Sequence, residues 1–284
     1  MSELTKRVLF AVGAIPFVLA AVWFGGAALA ILLSIASALA AWEYGRLAEA
    51  AGQRPMTAWL IALASALPLG AHAVQLGLWV PPLSWVALLS PVLLTVAMWT
   101  RGATGRPLEA TATTLFGAWY TGGMLAFAYA LRYHRFAVGP AAGALLLLLP
   151  IVLTWVNDAG AFFFGKRFGK RKLMPSVSPG KTVAGAVGAL LTVLVGTWAY
   201  FEFLLVPYAN LGLSWAGLVL FAVAMSAAAQ VGDLAESLLK RQAGVKDSSA
   251  LIPGHGGVLD RVDSLLFTIP LGYVLLEVLL KVGA

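Results

Sequence analysis

Nine stretches of the chain are almost wholly apolar, and short polar clusters separate them. They run at about residues 8–25, 27–45, 57–75, 82–100, 112–131, 141–163, 183–206, 213–239 and 264–281. Each is close to the roughly 20 residues a helix needs to cross the hydrocarbon core of a bilayer. The pattern predicts an all-α, polytopic transmembrane protein of about nine spans. The first run has the length of a secretory signal. It is not followed by a small-residue cleavage site and a polar mature domain, and a second apolar run begins at once, so it is read as the first helix. The link at Gly25-Gly26 predicts a tight helical hairpin, and the many Gly, Ala and Ser residues suit close helix packing in lipid.

Composition agrees. Apolar residues make up 61% of the 284 residues and charged residues 11%, against about 25% charged in a soluble domain. Such a chain cannot cover its own surface with polar groups, so lipid must take up the excess. Cysteine is absent, which excludes disulfides and thiolate metal ligands.

The net charge of +7 follows the membrane pattern rather than a nucleic-acid one. With the N-terminus on the cytoplasmic side, sixteen of the nineteen Lys and Arg residues fall inside, and only Arg132, Arg135 and Lys281 fall outside. That asymmetry orients the chain, and an odd number of spans places the C-terminus outside. A nucleic-acid partner is not expected, because a phosphate-tracking surface needs a soluble basic face.

The aspartates add what topology does not require. All five lie between Asp158 and Asp263, and four of them between Asp233 and Asp263. Acidic groups beside lipid are costly and mark functional sites. The chain therefore reads as a single domain, residues 1–284, with mainly scaffold helices over 1–140 and catalytic helices with cytoplasmic loops over 141–284.

Three segments carry the candidate chemistry. The first closes the eighth span. Asp233, Ser237 and Lys240 stand at i, i+4 and i+7, one helical face presenting a carboxylate, a hydroxyl and an ammonium. An ion-paired helix end is the bland alternative. The second runs from Lys246-Asp247 to Asp263. Gly254, Gly256 and Gly257 allow backbone N–H groups to approach a phosphate, Arg261 offers a planar fork, and Asp260 and Asp263 enter the ninth span three residues apart. His255 reads equally well as a turn residue. Hard carboxylates without cysteine or clustered histidine suit Mg²⁺ and not Zn²⁺. The third segment runs from Asn157-Asp158 to Thr182 and holds six basic residues. Gly180-Lys181-Thr182 has the ending of a P-loop, but Pro175 stands where the first glycine belongs and no buried strand precedes it, so a P-loop is rejected. Attraction to anionic lipid and a grip on a polyphosphate both remain open for this loop.

The run from Ser237 to Asp263 resembles the phosphatidate cytidylyltransferase (CDP-diacylglycerol synthase) family. The family pattern reads S-x-x-K-R-x-x-x-x-K-D, then a small residue, then H-G-G-x-x-D-R-x-D. Ser237, Lys240, Arg241, Lys246, Asp247, Ser249, His255, Gly256, Gly257, Asp260, Arg261 and Asp263 meet it. Upstream, Asp158, Gly165, the Phe-Gly-Lys at 168–170, Ser178-Pro179 and Lys181-Thr182 are also similar to the family. Ala159, Phe162 and Ala184 depart from it, where Thr, Tyr and Glu are usual.

The resemblance implies transfer of the cytidylyl group of CTP to phosphatidic acid in phospholipid biosynthesis. The enzyme would lie in a bacterial inner membrane among lipids, with its site facing the cytoplasm. It implies Mg²⁺, with room for a second cation. Asp233 and Asp260 are the first candidates as ligands, followed by Asp158, Asp247 and Asp263. Lys181, Lys240, Arg241 and Arg261 would hold phosphates, with Lys246, Ser237 and His255 beside them and Ser178 and the glycines at the nucleotide. Two rival readings are weighed. A CDP-alcohol phosphotransferase would open its acidic pattern with Asp-Gly, a pair this chain lacks. A transporter would place charges near the midplane, often in repeated halves. A homodimer is one assembly open to such a chain, and the sequence does not decide it.

Overall fold

The computed structural model describes residues 3–251 and 256–282. The chain is almost entirely helical. In order, α1 (Glu3–Phe24), α2 (Gly26–Ala50), α3 (Thr57–Gln75), α4 (Leu83–Arg101), α5 (Pro107–Ala118) and α6 (Met124–Arg132) come first. There follow α7 (Gly139–Phe168), α8 (Val183–Tyr200), α9 (Val206–Ala209), α10 (Trp215–Gln242), α11 (Leu259–Val262) and α12 (Leu265–Leu279). Two short antiparallel ladders are added. β1 (Lys172–Met174) pairs with β2 (Ser178–Thr182), and β3 (Leu211–Gly212) pairs with β4 (Lys281–Val282).

Among the described residues, seven helices are long and apolar enough to cross a membrane. The two other expected ranges are helical but differ in form. The first holds α1, with an apolar stretch over Val12–Phe24 among the described residues. The second, 112–131, is divided between α5 and α6 by a π-helical turn at Trp119–Gly123. Large apolar side chains stand on the surface, with Trp99 82% exposed and Val138 85% exposed. In water such a surface would be a liability, and in lipid it is the solvent-matched face. The protein is an integral membrane protein.

The chain forms two compact units. One holds Met1–Ala21, Gly25–Tyr129 and Leu239–Arg261, and the other holds Val22–Phe24, Ala130–Leu238 and Val262–Ala284. The division does not follow the halves of the sequence, because Leu239–Arg261 clusters with the N-terminal helices.

In the first unit, α2 and α3 pack together with α5, and Leu60 and Ala64 are fully buried. The turn between α1 and α2 has Gly25 at φ 64° and Gly26 at φ 53°, the left-handed region where glycine is unstrained. In the second unit α7 lies along α8 at close range, and small residues make this possible. A Cβ on Gly188 would strike the side chain of Phe164, and one on Gly160 would strike Thr192. Close approach through small residues is how helices gain packing energy where lipid removes the hydrophobic drive.

Two local features differ from the sequence expectation. The segment after α7 is not an open loop, since β1 and β2 form a hairpin within it. The ninth span does not carry Asp260 and Asp263 on one continuous helix. α11 ends at Val262, Asp263-Ser264 form a turn, and α12 begins at Leu265. The Asp263 carboxylate accepts the amide of Ser264 at 2.5 Å, a side-chain bond that competes with continued helix.

The α7–α8 contact yields a test. Gly188→Ala forces Phe164 off its position and should destabilise the detergent-solubilised protein by about 1–3 kcal/mol, the range for overpacking. The loss is read as a lowered apparent Tm, and Phe164→Ala in the same chain should recover part of it.

Candidate active site

The polar end of the second unit is built from α7, β2, α8 and α10. Asp233 lies on α10 and Lys181 on β2, and Lys181 Nζ meets Asp233 Oδ2 at 2.6 Å. The hairpin brings Lys181 there. Lys172 pairs with Thr182 and Met174 with Ser178, and buried Val177 sits at its turn. The next residue, Thr182, starts α8 as its N-cap and accepts the amide of Gly185 at 3.1 Å. Such a cap removes one orphan donor at a helix start and fixes the direction of the strand that carries Lys181.

A polar chain runs beneath this pair. Gln230 donates to Ser226 Oγ at 3.1 Å. Ser226 donates to the Oδ1 of buried Asn157 at 2.9 Å, and Asn157 Nδ2 donates to Asp158 at 3.4 Å. Ser237 Oγ donates to Asp233 Oδ1 at 3.4 Å, one turn along α10. Buried polar groups must be partnered, and these partners hold Asn157 and Gln230 at fixed angles. Asp158, Gly165, Lys166, Lys172, Lys181 and Asp233 line a cleft of about 460 Å³, with Asn157 and Gln230 in its wall. Asp158 lies within electrostatic reach of both Asp233 and Lys181.

In the first unit, Lys240 Nζ meets Asp260 Oδ1 at 2.7 Å, with the two side chains 14% and 7% exposed. Asp260 Oδ2 accepts three further bonds: Ser248 N at 3.0 Å, Ser248 Oγ at 2.8 Å and Gly257 N at 2.8 Å. Gly256 has φ 80°, and a side chain there would also crowd the Asp260 carboxylate. Beside this group lies Glu43 of α2, fully buried. It accepts hydrogen bonds from Ser249 Oγ (2.6 Å), Val258 N (3.0 Å) and Leu259 N (2.6 Å), and its Oε2 lies 3.0 Å from Ser248 Oγ, whose one proton it shares with Asp260. Lys246, Asp247 and Arg261 are exposed in the same unit.

The expected residues therefore fall into two groups. Asp158, Ser178, Lys181, Asp233, Ser237 and Asp263 belong to the second unit. Lys240, Arg241, Lys246, Asp247, Gly256, Gly257, Asp260 and Arg261 belong to the first. His255 and Gly254 lie outside the described residues. Of the five aspartates, Asp158 and Asp233 face one cleft, and Asp260 is held by Lys240, Ser248 and Gly257. Among the described residues no three or more acidic or histidine side chains gather as a metal cluster. The Asp158 and Asp233 carboxylates nonetheless offer hard oxygen donors to one cleft, and that chemistry fits Mg²⁺. Sequence reading missed Asn157, Ser226, Gln230, Ser248 and Glu43. Ser226, Gln230, Asp233 and Ser237 follow one another at helical spacing, and that stripe was the available signal for two of them.

A model described as the cytidylyltransferase family matches residues 5–279. The chain belongs to the cytidylyltransferase family. The phosphatidate cytidylyltransferase of Pseudomonas aeruginosa is 36% identical over 280 residues, covering 96% of this chain and 97% of that relative. The enzyme of the same name from Haemophilus influenzae is 48% identical over 143 residues, 49% of this chain and 48% of the relative. That of Bacillus subtilis is 46% identical over 134 residues, 47% of this chain and 48% of the relative. The match thus spans about half the length of the latter two.

The two lysine–aspartate pairs of this family member differ in burial, and stability should separate them. Lys240→Met removes the cation from a nearly buried pair and should cost about 3 kcal/mol, the lower end for a broken buried ion pair, since Asp260 keeps three other donors. Lys181→Met breaks a pair that is 25% and 36% exposed and should cost at most about 1 kcal/mol. Denaturation midpoints in detergent check the contrast.

Proposed function

We propose that the chain transfers the cytidylyl group of CTP to phosphatidic acid, giving CDP-diacylglycerol and pyrophosphate. The observation that carries the reading is near-complete mutual coverage with the Pseudomonas aeruginosa relative of that name. The lysine-lined, carboxylate-bearing cleft supports it chemically.

A phosphate oxygen of phosphatidic acid attacks the α-phosphorus of CTP. The bond from that phosphorus to the β-phosphate oxygen breaks, and pyrophosphate leaves with the electron pair. The nucleophile is already ionised, so no strong base is required. The chain's work is to position two highly charged substrates and to offset their charge. Lys181, with Lys166 and Lys172 in the same cleft, offers ammonium groups to the triphosphate. Lys240, Arg241, Lys246 and Arg261 are further phosphate contacts, His255 and Ser237 assist, and Ser178 with the glycines at 254, 256 and 257 contributes at the nucleotide.

Asp233 and Asp158 would hold a Mg²⁺ ion. Asp260, Asp247 and Asp263 remain candidate ligands for it or for a second cation. A bound divalent ion supplies charge neutralisation at the transferred phosphate and the leaving group.

The membrane arrangement completes the reading. α1 and the α5–α6 run cross the bilayer in addition to the seven long apolar helices, making nine spans. The N-terminus and the reactive segments face the cytoplasm of a bacterial cell, where CTP is found. A reporter fused after Ala284 should be active only as an external fusion, and cytoplasmic activity there would overturn the nine-span arrangement.

The direct test is incorporation of labelled CTP into lipid by the purified chain in phosphatidic-acid-containing micelles. Lys181→Ala should lower kcat/KM for CTP by about 10- to 150-fold, the equivalent of a charged hydrogen bond of about 1.5–3 kcal/mol. Absence of a lipid product from the unsubstituted chain overturns the function. Unchanged kinetics in the variant remove Lys181 from the triphosphate.

A further inference from the structure

We infer that Glu43, in the N-terminal helix α2, is a positioning residue for cytidylyl transfer. It holds Ser248, Ser249, Val258 and Leu259 in the conformation that presents Asp260 and its neighbours. This rests on the proposed transfer reaction, but the anchoring itself can be tested without it.

Three donors converge on the two carboxylate oxygens, Ser249 Oγ and Val258 N on Oε1 and Leu259 N on Oε2, and the single Ser248 hydroxyl proton is shared between Oε2 and Asp260 Oδ2. These donors come from both sides of the segment that carries Lys246-Asp247 at one end and Asp260-Arg261 at the other. Only a carboxylate accepts at both terminal atoms. An amide would turn one N–H₂ group against two donors. Glu43 is 0% exposed, so water cannot take over the lost bonds. The packing is as close as the hydrogen bonding. A Cβ on Gly257 would collide with Ser248 Oγ and Glu43 Oε1, so a side chain is excluded there by the anchor itself. Ser248 also ties the two carboxylates together, since its hydroxyl lies 3.0 Å from Glu43 Oε2 and 2.8 Å from Asp260 Oδ2. Placing Glu43 therefore places Asp260, which in turn receives Lys240. Glu43 itself is assigned no substrate contact and packs against Gly257, which is assigned one, so it acts through others.

The test uses Glu43→Gln in the full chain, with hydrogen exchange and kinetics measured on the same preparation. Exchange at Val258 and Leu259 should quicken by about 10-fold or more while α7 and α8 stay protected, because a local anchor opens locally. The turnover number should fall by about 10-fold or more with a smaller change in KM for CTP, the mark of misplacement rather than lost binding. Ser249→Ala, which removes one donor at a half-buried position, should show the same two effects more weakly. Combined with Glu43→Gln it should add little, since both act on one unit. Unaltered exchange at Val258 and Leu259 in Glu43→Gln overturns the inference. So does quickened exchange throughout α2, α3 and α5, which would make Glu43 a general packing residue. If Glu43→Gln does not accumulate folded, Ser249→Ala decides: normal exchange and normal turnover there overturn the anchor. Failure of the unsubstituted chain to use CTP would overturn the transfer reading alone, and the exchange result would still stand or fall by itself.

Discussion

Hydrocarbon offers a backbone no hydrogen-bond partner, and that constraint decides where this chain can do chemistry. Every peptide group at membrane depth must be satisfied within its own helix. α7 and α10 show the result. Each runs apolar for most of its length and turns polar near its C-terminal end, at Asn157, Asp158, Lys166 and Arg167 in one and Gln230, Asp233, Ser237 and Lys240 in the other. Among the described residues, the longest irregular segments that carry charge follow those two helix ends. The β1–β2 hairpin and the residues around Ser248 and Gly257 replace helical hydrogen bonds with ladder pairs and carboxylate anchors. The site is made of what a membrane helix cannot contain.

That constraint also explains what could be read from the sequence. Span positions and the polar ends of α7 and α10 were legible, because long apolar runs and the charges that interrupt them are one-dimensional signals. The spacing of Asp233 and Ser237 was legible for the same reason, and the two are bonded at i, i+4. Lys240, at i+7, was expected on that face, yet its nearest carboxylate is Asp260, twenty residues on. The hairpin was not legible. Pro175, Pro179 and Gly180 read as loop, and a ladder of two paired positions leaves too short an alternation to detect. Glu43 was the least legible of all. It sits in an apolar helix beside Trp42 and Tyr44, where a lone acid reads as an interfacial residue, and its partners lie 205 to 216 residues away. No local pattern encodes a contact at that separation.

The division into scaffold and catalytic halves accordingly blurs at the level of side chains. Leu239–Arg261 carries six charged residues of the C-terminal half, yet it clusters with the N-terminal helices. An apolar helix early in the chain can thus set the geometry of a reactive segment late in it. The physical reason is that a segment rich in Gly and Ser has little structure of its own and borrows it from whichever rigid element offers acceptors.

The two lysine–aspartate pairs show how burial assigns different work to the same chemistry. The side chains of Lys181 and Asp233 are 25% and 36% exposed, and a pair with that much solvent contact is worth about 1 kcal/mol, so in the proposed reaction Lys181 could exchange the carboxylate for a phosphate at little cost to the fold. Lys240 has no such freedom. Its pair is nearly buried, and abandoning Asp260 would leave a carboxylate short of charge in a poorly solvated place, a loss of several kcal/mol. An ammonium has three donors, so Lys240 can meet a phosphate only while it continues to hold Asp260. One lysine is therefore suited to change partners during a reaction cycle, and the other to keep its partner throughout.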